Sequence, residues 1–193
     1  MKLFSIKIIL IFLLVFFDTA YANDVSAQYS VSTSGINIGK FSWVLKIKEN
    51  KYQTEIYLKN SGIFSALYKF EGKYMSKGIV ENNKFKTKEY KQYWKTKKKV
   101  KIVEMEFDGY LTNLVQNPKE KELSRVNLYE LFEHFDPITS FINILNGEDQ
   151  SNTVDGRRVY SMKKIDLKDT KKIKIEIQNY KNIWADHKRN DLK

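Results

Sequence analysis

The residues best suited to chemistry in this 193-residue sequence are lysines, and they concentrate in one stretch. Residues 84–101 contain nine lysines, interleaved with two tyrosines, a phenylalanine and a tryptophan. A basic turn flanked by amphipathic aromatic side chains suits a membrane surface or another anionic material. We therefore assign a candidate anion or membrane patch to Trp94, Lys95, Lys97, Lys98 and Lys99. The alternative is a solvated hairpin tip whose aromatic neighbours pack inward.

A second basic motif, Asp155-Gly156-Arg157-Arg158, is interpreted as a structural turn. Asp-Gly pairs favour tight turns, and Gly156 is expected at a positive φ because glycine has no Cβ to disfavour that region. We expect one of the two arginines to pair with a nearby carboxylate. The alternative is an anion clamp formed by the same arginines.

No catalytic, cofactor-binding or metal-binding residue is assigned, because the necessary groups are absent or badly spaced. The chain has no cysteine and only two histidines, which excludes thiolate metal sites and a cysteine nucleophile. The motif Glu-His-Phe-Asp at 133–136 brings no acid and base face to face if it is helical. We interpret His134 as an imidazole at a helix C-terminus, His187 as a surface residue, and Glu104 and Glu106 as one solvated strand face. The sequence therefore predicts a protein that is not an enzyme and needs no cofactor.

The N-terminus has the features of a cleavable secretory signal peptide covering residues 1–22. A positively charged start precedes an uninterrupted apolar segment at 8–17. Ala20 and Ala22 then supply the small-x-small pattern of a cleavage site. We expect the mature chain to begin at Asn23.

The mature chain, 23–193, is predicted to be a single β-rich domain in the periplasm. No cysteine follows the signal, so a lipoprotein is excluded, and no later apolar run approaches the roughly 20 residues that span a bilayer. The net charge is +11, but only four of the 34 basic residues are Arg. Nucleic-acid-binding proteins usually use Arg, and an exported protein does not meet cytosolic nucleic acid. The expected partners are therefore a lipid or envelope polymer, or an envelope protein, and not nucleic acid.

The elements that must position these residues are mostly strands. Apolar and polar residues alternate with a period of two, which predicts half-buried antiparallel strands. The predicted strands are 29–34, 41–47, 52–58, 69–80, 85–95, 100–107, 111–116, 158–167 and 173–177. The alternation changes phase within 85–95, which predicts a β-bulge near Lys88-Glu89. Two segments do not alternate: 63–68, interpreted as a short helical turn, and 147–153, interpreted as a polar loop.

Helical signals interrupt this pattern near residues 126–146. Residues 126–135 are apolar with a loose helical period, and Asp136-Pro137 is a good helix start because Asp caps and Pro gives up only an orphaned N–H. An apolar stripe follows at Ile138, Phe141, Ile142 and Leu145. The predicted fold class is mainly β, a curved antiparallel sheet or half-barrel of about 8–10 strands with a short helical hairpin insert.

Several ordered stretches resemble one known family. They lie at 29–39, 61–68, 76–78, 136–140 and 154–160. Their order and spacing are similar to the bacterial family of domains of unknown function numbered 3108. The resemblance implies secretion, a curved antiparallel sheet similar in outline to periplasmic lipoprotein carriers, and no assigned activity. Members of that family generally continue with more strands, so we also expect a shortened C-terminus.

The expected function is noncatalytic binding of an apolar or amphipathic envelope ligand, or of a protein partner, on the concave face of the sheet. The alternative is a structural or assembly factor of the cell envelope that acts through surface contacts and an open edge strand. An interior cavity favours the first hypothesis. A filled core with a bare strand edge favours the second.

Overall fold

The computed structural model describes residues 23–33, 36–61, 65, 69–167 and 173–184, which form two β-sheets and one α-helix. The strands are β1 (Asn23–Thr33), β2 (Ile36–Lys48), β3 (Lys51–Asn60), β4 (Phe70–Glu81), β5 (Lys84–Thr96), β6 (Val100–Phe107), β7 (Leu111–Asn117), β8 (His134–Phe135), β9 (Gln150–Val154), β10 (Arg158–Asp166) and β11 (Ile173–Asn182). Helix α1 covers Pro137–Leu145, and a single 3-10 turn covers Leu128–Glu130. The predicted fold class, mainly β with a curved antiparallel sheet, is confirmed.

The larger sheet is an antiparallel meander in the order β1 to β7, and it is not closed. One face of this sheet, called the inner face below, carries the apolar residues of the predicted alternation. Register places Trp43 opposite Ile56 and Ile56 opposite Tyr74, so these side chains lie in one row across three strands. The intervening residues, such as Lys46 and Glu55, occupy the outer face.

The predicted bulge in β5 is confirmed. Lys77 pairs with Glu89 and Gly78 with Thr87, so Lys88 is an extra residue in β5. Before the bulge Phe85 and Thr87 lie on the inner face. After it, the inner-face residues are Tyr90, Gln92 and Trp94.

Helix α1 starts as predicted. Asp136 is its N-cap and accepts hydrogen bonds from the backbone N–H groups of Ile138 at 2.9 Å and Thr139 at 3.2 Å. Pro137 occupies the first turn, and Gly147 at φ +111° follows the end. The expected apolar stripe is only partly correct, because Leu145 is exposed while the polar Thr139, Ser140 and Asn143 are buried.

The first arm of the predicted helical hairpin is wrong. Residues 126–135 form the 3-10 turn and the two-residue strand β8, because their backbone bonds to other elements. Tyr110 and Phe132 form a bridge, and the Glu133 N–H donates to the Gly109 carbonyl at 3.1 Å. His134 consequently lies in β8 and not at a helix C-terminus.

The predicted loop at 147–153 is also wrong in its second half, because β9 begins at Gln150. This strand pairs with β10 and β8, which gives a smaller sheet in the order β11-β10-β9-β8. The helical turn predicted at 63–68 lies outside the described residues except for Ser65. Helix α1 packs on β4 and β5 from one side and on β9 and β10 from the other. The two sheets therefore share a core with α1 between them.

Candidate functional site

A cavity of about 760 Å³ lies between the inner face of the larger sheet, helix α1 and strand β10. Most of its lining is apolar or aromatic. These residues are Phe41, Ile56, Leu58, Tyr74, Tyr90, Trp94, Val103, Pro137, Ile138, Phe141, Tyr160 and Met162. The volume falls within the range of about 300–1,000 Å³ that is typical of small-molecule sites.

The apolar end of the cavity is built by β2, β3 and α1. Phe41 and Leu58 are opposite each other on neighbouring strands, and Ile56 lies two residues before Leu58 on β3. Phe141 faces them from the helix, with its ring centroid 6.0 Å from that of Trp43. None of the residues contributed here by β2, β3 and α1 carries a charge. This end therefore suits a hydrocarbon group.

The other end of the cavity is basic. Lys99 from the β5–β6 turn and Lys101 from β6 line it together with Arg157 and Arg158. Lys101 is directly opposite Trp94 in the sheet, so the indole marks the boundary between the aromatic wall and the cations. Phe70 supports the indole through an edge-on contact with centroids 5.2 Å apart.

The β9–β10 turn places both arginines. Asp155 Oδ1 accepts from the backbone N–H groups of Arg157 at 2.8 Å and Arg158 at 2.7 Å. Its Oδ2 lies 3.9 Å from Nη1 of Arg158. Burial raises the pKa of the Asp155 carboxyl, whereas these N–H groups and both guanidinium groups oppose that rise. In the described part of the chain, Asp155 is the only carboxylate that lines the cavity, and its own turn engages it.

Gly156 makes this turn fit against the larger sheet. It has φ +83°, and a Cβ there would overlap Cγ1 of Val103. Its carbonyl accepts from Nε2 of Gln116 and, at 3.0 Å, from Nε1 of Trp184. The turn is therefore held between β6, β7 and the residues that follow β11.

Comparison with known proteins adds one finding to this geometry. The model of the family described as "Protein of unknown function (DUF3108)" matches residues 28–187. The chain belongs to the DUF3108 family. No curated protein and no solved structure matches it.

Beneath helix α1, this DUF3108 domain contains a buried polar network that the sequence analysis did not find. Asp136 has no exposed surface, and its Oδ2 accepts from the hydroxyls of Ser76 and Thr87, each at 2.7 Å, and of Thr139. Tyr52 joins through its hydroxyl, 2.6 Å from Oγ1 of Thr139. Burial raises the pKa of the Asp136 carboxyl, and the hydrogen bonds counteract it.

This network has a structural role, because Asp136 does not line the cavity and its donors come from the strands and the helix that it joins. A sequence signal existed. Ser76 and Thr87 are small polar residues in the inner-face phase of strands that are mostly apolar there. Such positions need a polar partner across the core.

The residues of the predicted basic patch separate in the structure. Trp94 and Lys99 line the cavity. Lys95 lies on the outer face of β5, and Lys97 and Lys98 are exposed at the turn. Arg157 and Arg158, which the sequence analysis treated as an unrelated turn, meet Lys99 at the same cavity end. The predicted cleavage residues Ala20 and Ala22 lie outside the described residues.

The other candidates for chemistry remain apart. Glu104 is 3.2 Å from Nζ of Lys91 on the outer face, and Glu106 is exposed. His134 contacts the Phe132 carbonyl through Nδ1 at 2.8 Å. Within the described ranges, no group of three or more His, Cys, Asp or Glu residues is placed to hold a metal ion. In that same part of the chain, no helix has the length and apolar composition needed to cross a bilayer.

Proposed function

We propose that this DUF3108 protein is a noncatalytic periplasmic binding domain that holds an apolar or amphipathic envelope ligand in its cavity. The observation that carries the proposal is the cavity itself, about 760 Å³ with a mostly aromatic and aliphatic lining. Apolar pockets with a few convergent polar groups are the usual form of small-molecule sites. The export signal predicted at 1–22 and the absence of a nucleophile–base pair in the sequence agree with this function.

The alternative, an assembly factor acting through a strand edge, has one supporting observation. Edge strand β1 exposes Val25 and Tyr29 by 52% and 55% of their surfaces. An edge with unpaired backbone groups can accept another strand. The cavity supports the first function, because an assembly factor that works by its edge has no need of an open interior.

The first experiment is native mass spectrometry of the protein purified from its own envelope, followed by solvent extraction. We expect a retained small molecule at one copy per chain. The purified protein should also bind the neutral dye N-phenyl-1-naphthylamine saturably, because the dye is apolar and fluoresces when it leaves water.

Cavity-filling variants identify the site. Leu58→Trp and Met162→Trp each add bulk to an opposite wall, and each should weaken dye binding at least tenfold, or about 1.4 kcal/mol. The matched control is Val115→Trp, because Val115 is 48% exposed on the outer face of β7. Equal binding by all three variants, with native-like melting, would overturn the proposal.

A further inference from the structure

We infer that the ligand of this cavity is an anionic amphiphile, a hydrocarbon chain that carries a carboxylate or phosphate headgroup. The inference rests on the proposed function and names the chemistry of its ligand. Among the residues that the structure describes, four cationic side chains and one carboxylate line the cavity. The carboxylate accepts from the backbone N–H groups of its own turn at 2.7 and 2.8 Å and lies 3.9 Å from Nη1 of Arg158. Because the positive charges outnumber this single negative charge, the electrostatic potential at this end is dominated by the cations.

The cations are all on one side. Lys99 and Lys101 come from the β5–β6 turn and the start of β6, and Arg157 and Arg158 come from the β9–β10 turn. Gly156 packs on Val103, which is two residues beyond Lys101 on the same face of β6. The two basic segments are therefore neighbours, although more than fifty residues separate them in the chain.

The uncharged end lies across the sheet from these cations. From β6 to β2 there are four strand spacings, which amount to about 19 Å measured along the sheet. Tyr74 on β4 marks the middle of this path, and Phe41 and Leu58 lie at its far end. A ligand that fills the cavity must therefore present a charged group at one end and a long apolar group at the other.

Other ligand classes fit less well. A small inorganic anion would leave the apolar end filled with water. A neutral lipid would place an uncharged group at the basic end and would gain nothing from the positive potential there. Arg158 already contacts the Tyr180 ring, with its guanidinium carbon 5.5 Å from the centroid, so this group is oriented before any ligand binds.

The test is displacement of N-phenyl-1-naphthylamine by four amphiphiles that share one chain and differ in the headgroup. They are myristate, tetradecyl phosphate, tetradecanol and tetradecyltrimethylammonium, each used below its micelle concentration. We expect the two anions to displace the dye at concentrations at least about tenfold lower than the alcohol, because charge-assisted hydrogen bonds are about twice as strong as neutral ones. The cation should be the weakest competitor. Comparison of the concentrations at which myristate and tetradecyl phosphate displace the dye identifies the preferred headgroup.

Variants assign the effect to the basic end. Lys101→Gln and Arg157→Gln should each weaken the binding of the two anions about tenfold and leave the binding of tetradecanol unchanged. The matched control is Lys97→Gln combined with Lys98→Gln, because both lysines are exposed outside the cavity. This double variant should bind all four compounds like the parent.

The outcomes are distinct for the two proposals. If tetradecanol and the anions bind equally, or if Arg157→Gln weakens both alike, the anionic ligand is wrong while cavity binding stands. If neither the dye nor any amphiphile binds, the proposed function itself is wrong. If the Lys97/Lys98 control loses anion binding as strongly as Lys101→Gln, the headgroup site lies at the turn tip and the inference is overturned.

Discussion

The side chain of Asn143 pairs with the backbone of Phe85 in both directions. Its Nδ2 donates to the Phe85 carbonyl at 2.9 Å, and its Oδ1 accepts from the Phe85 N–H at 2.8 Å. Both residues are buried. The amide group thus takes the place of a neighbouring strand at the start of β5, and it joins α1 directly to the larger sheet.

Replacing Asn143 by Leu should therefore destabilise the fold markedly. The change leaves a buried N–H and a buried carbonyl without this partner, at roughly 1–3 kcal/mol for each group. We expect a loss of about 2–4 kcal/mol in the free energy of unfolding, measured by urea denaturation. Asn146→Leu is the control, because its amide bonds to the Asn83 carbonyl at an exposed position. Equal losses in the two variants would contradict the role given to Asn143.

Two glycines allow backbone strain and steric overlap to be separated. Gly156 and Gly147 both have a positive φ, but a Cβ would meet Val103 at the first and nothing within 4 Å at the second. Gly147→Ala should lose about 1–2 kcal/mol from the unfavourable φ alone. Gly156→Ala should lose a further 1–3 kcal/mol, roughly the usual effect of overpacking. Thermal melting of both variants tests this, and a Gly156→Ala protein no less stable than Gly147→Ala would be inconsistent with the contact.

His134 gives the stability a pH dependence with a definite sign. Partial burial lowers its pKa below the ordinary 6.5, although the hydrogen bond with the Phe132 carbonyl acts the other way. Below 6.5 the unfolded chain therefore binds more protons than the folded chain, so stability is lost as the pH falls through this range.

The measurement is urea denaturation of the parent and of His134→Gln at a series of pH values. The difference between their free energies of unfolding should be constant above pH 6.5 and should change in favour of the variant below it. Parallel curves for the parent and His134→Gln at every pH would show that His134 titrates alike in both states.

Membrane attraction at the β5–β6 turn can be measured apart from the cavity. Replacing both Lys97 and Lys98 by Gln removes two exposed charges that contribute about 1 kcal/mol each near an anionic surface. Binding to anionic vesicles should weaken about thirtyfold and should fall with salt. The control replaces Lys48 and Lys51 by Gln, because the meander puts the β2–β3 turn at the opposite end of the sheet. If both pairs have the same effect, the attraction comes from the overall charge.

Export is tested at the N-terminus. N-terminal sequencing of the protein from the envelope should begin at Asn23, because Ala20 and Ala22 provide the cleavage pattern. An envelope form that retains Met1 would contradict cleavage. An Ala22→Arg variant should accumulate as the longer form.

The strands were predictable because alternation is a local signal. Inner-face residues of β2 and β3 follow the period of two, and the phase change in β5 locates the extra residue Lys88 without any knowledge of its partner strand. The start of α1 was predictable for the same reason, since the capping contacts of Asp136 are with residues two and three positions away.

The remaining features depend on contacts between distant segments. Residues 126–135 have a helical apolar pattern, but pairing of Phe132 with Tyr110 overrides it. Strand β9 is polar in sequence, yet it pairs with the distant strand β10. Its Thr153 hydroxyl also donates to the Ser140 hydroxyl of α1 at 2.8 Å. No local pattern relates Lys101 to Arg157, so the composition of the basic end is visible only in the folded chain.

The cavity also bears on how this domain folds. Phe41, Leu58 and Phe141 line the cavity, and their cavity-facing sides lack the dispersion contacts that a filled core provides. A molecule that fills the space serves as the missing portion of the hydrophobic core. At one hundred times its dissociation constant it would add about 2.7 kcal/mol to the stability of the folded state. Occupancy and resistance to unfolding would then rise together, and a chain without its ligand would be the first that proteases degrade.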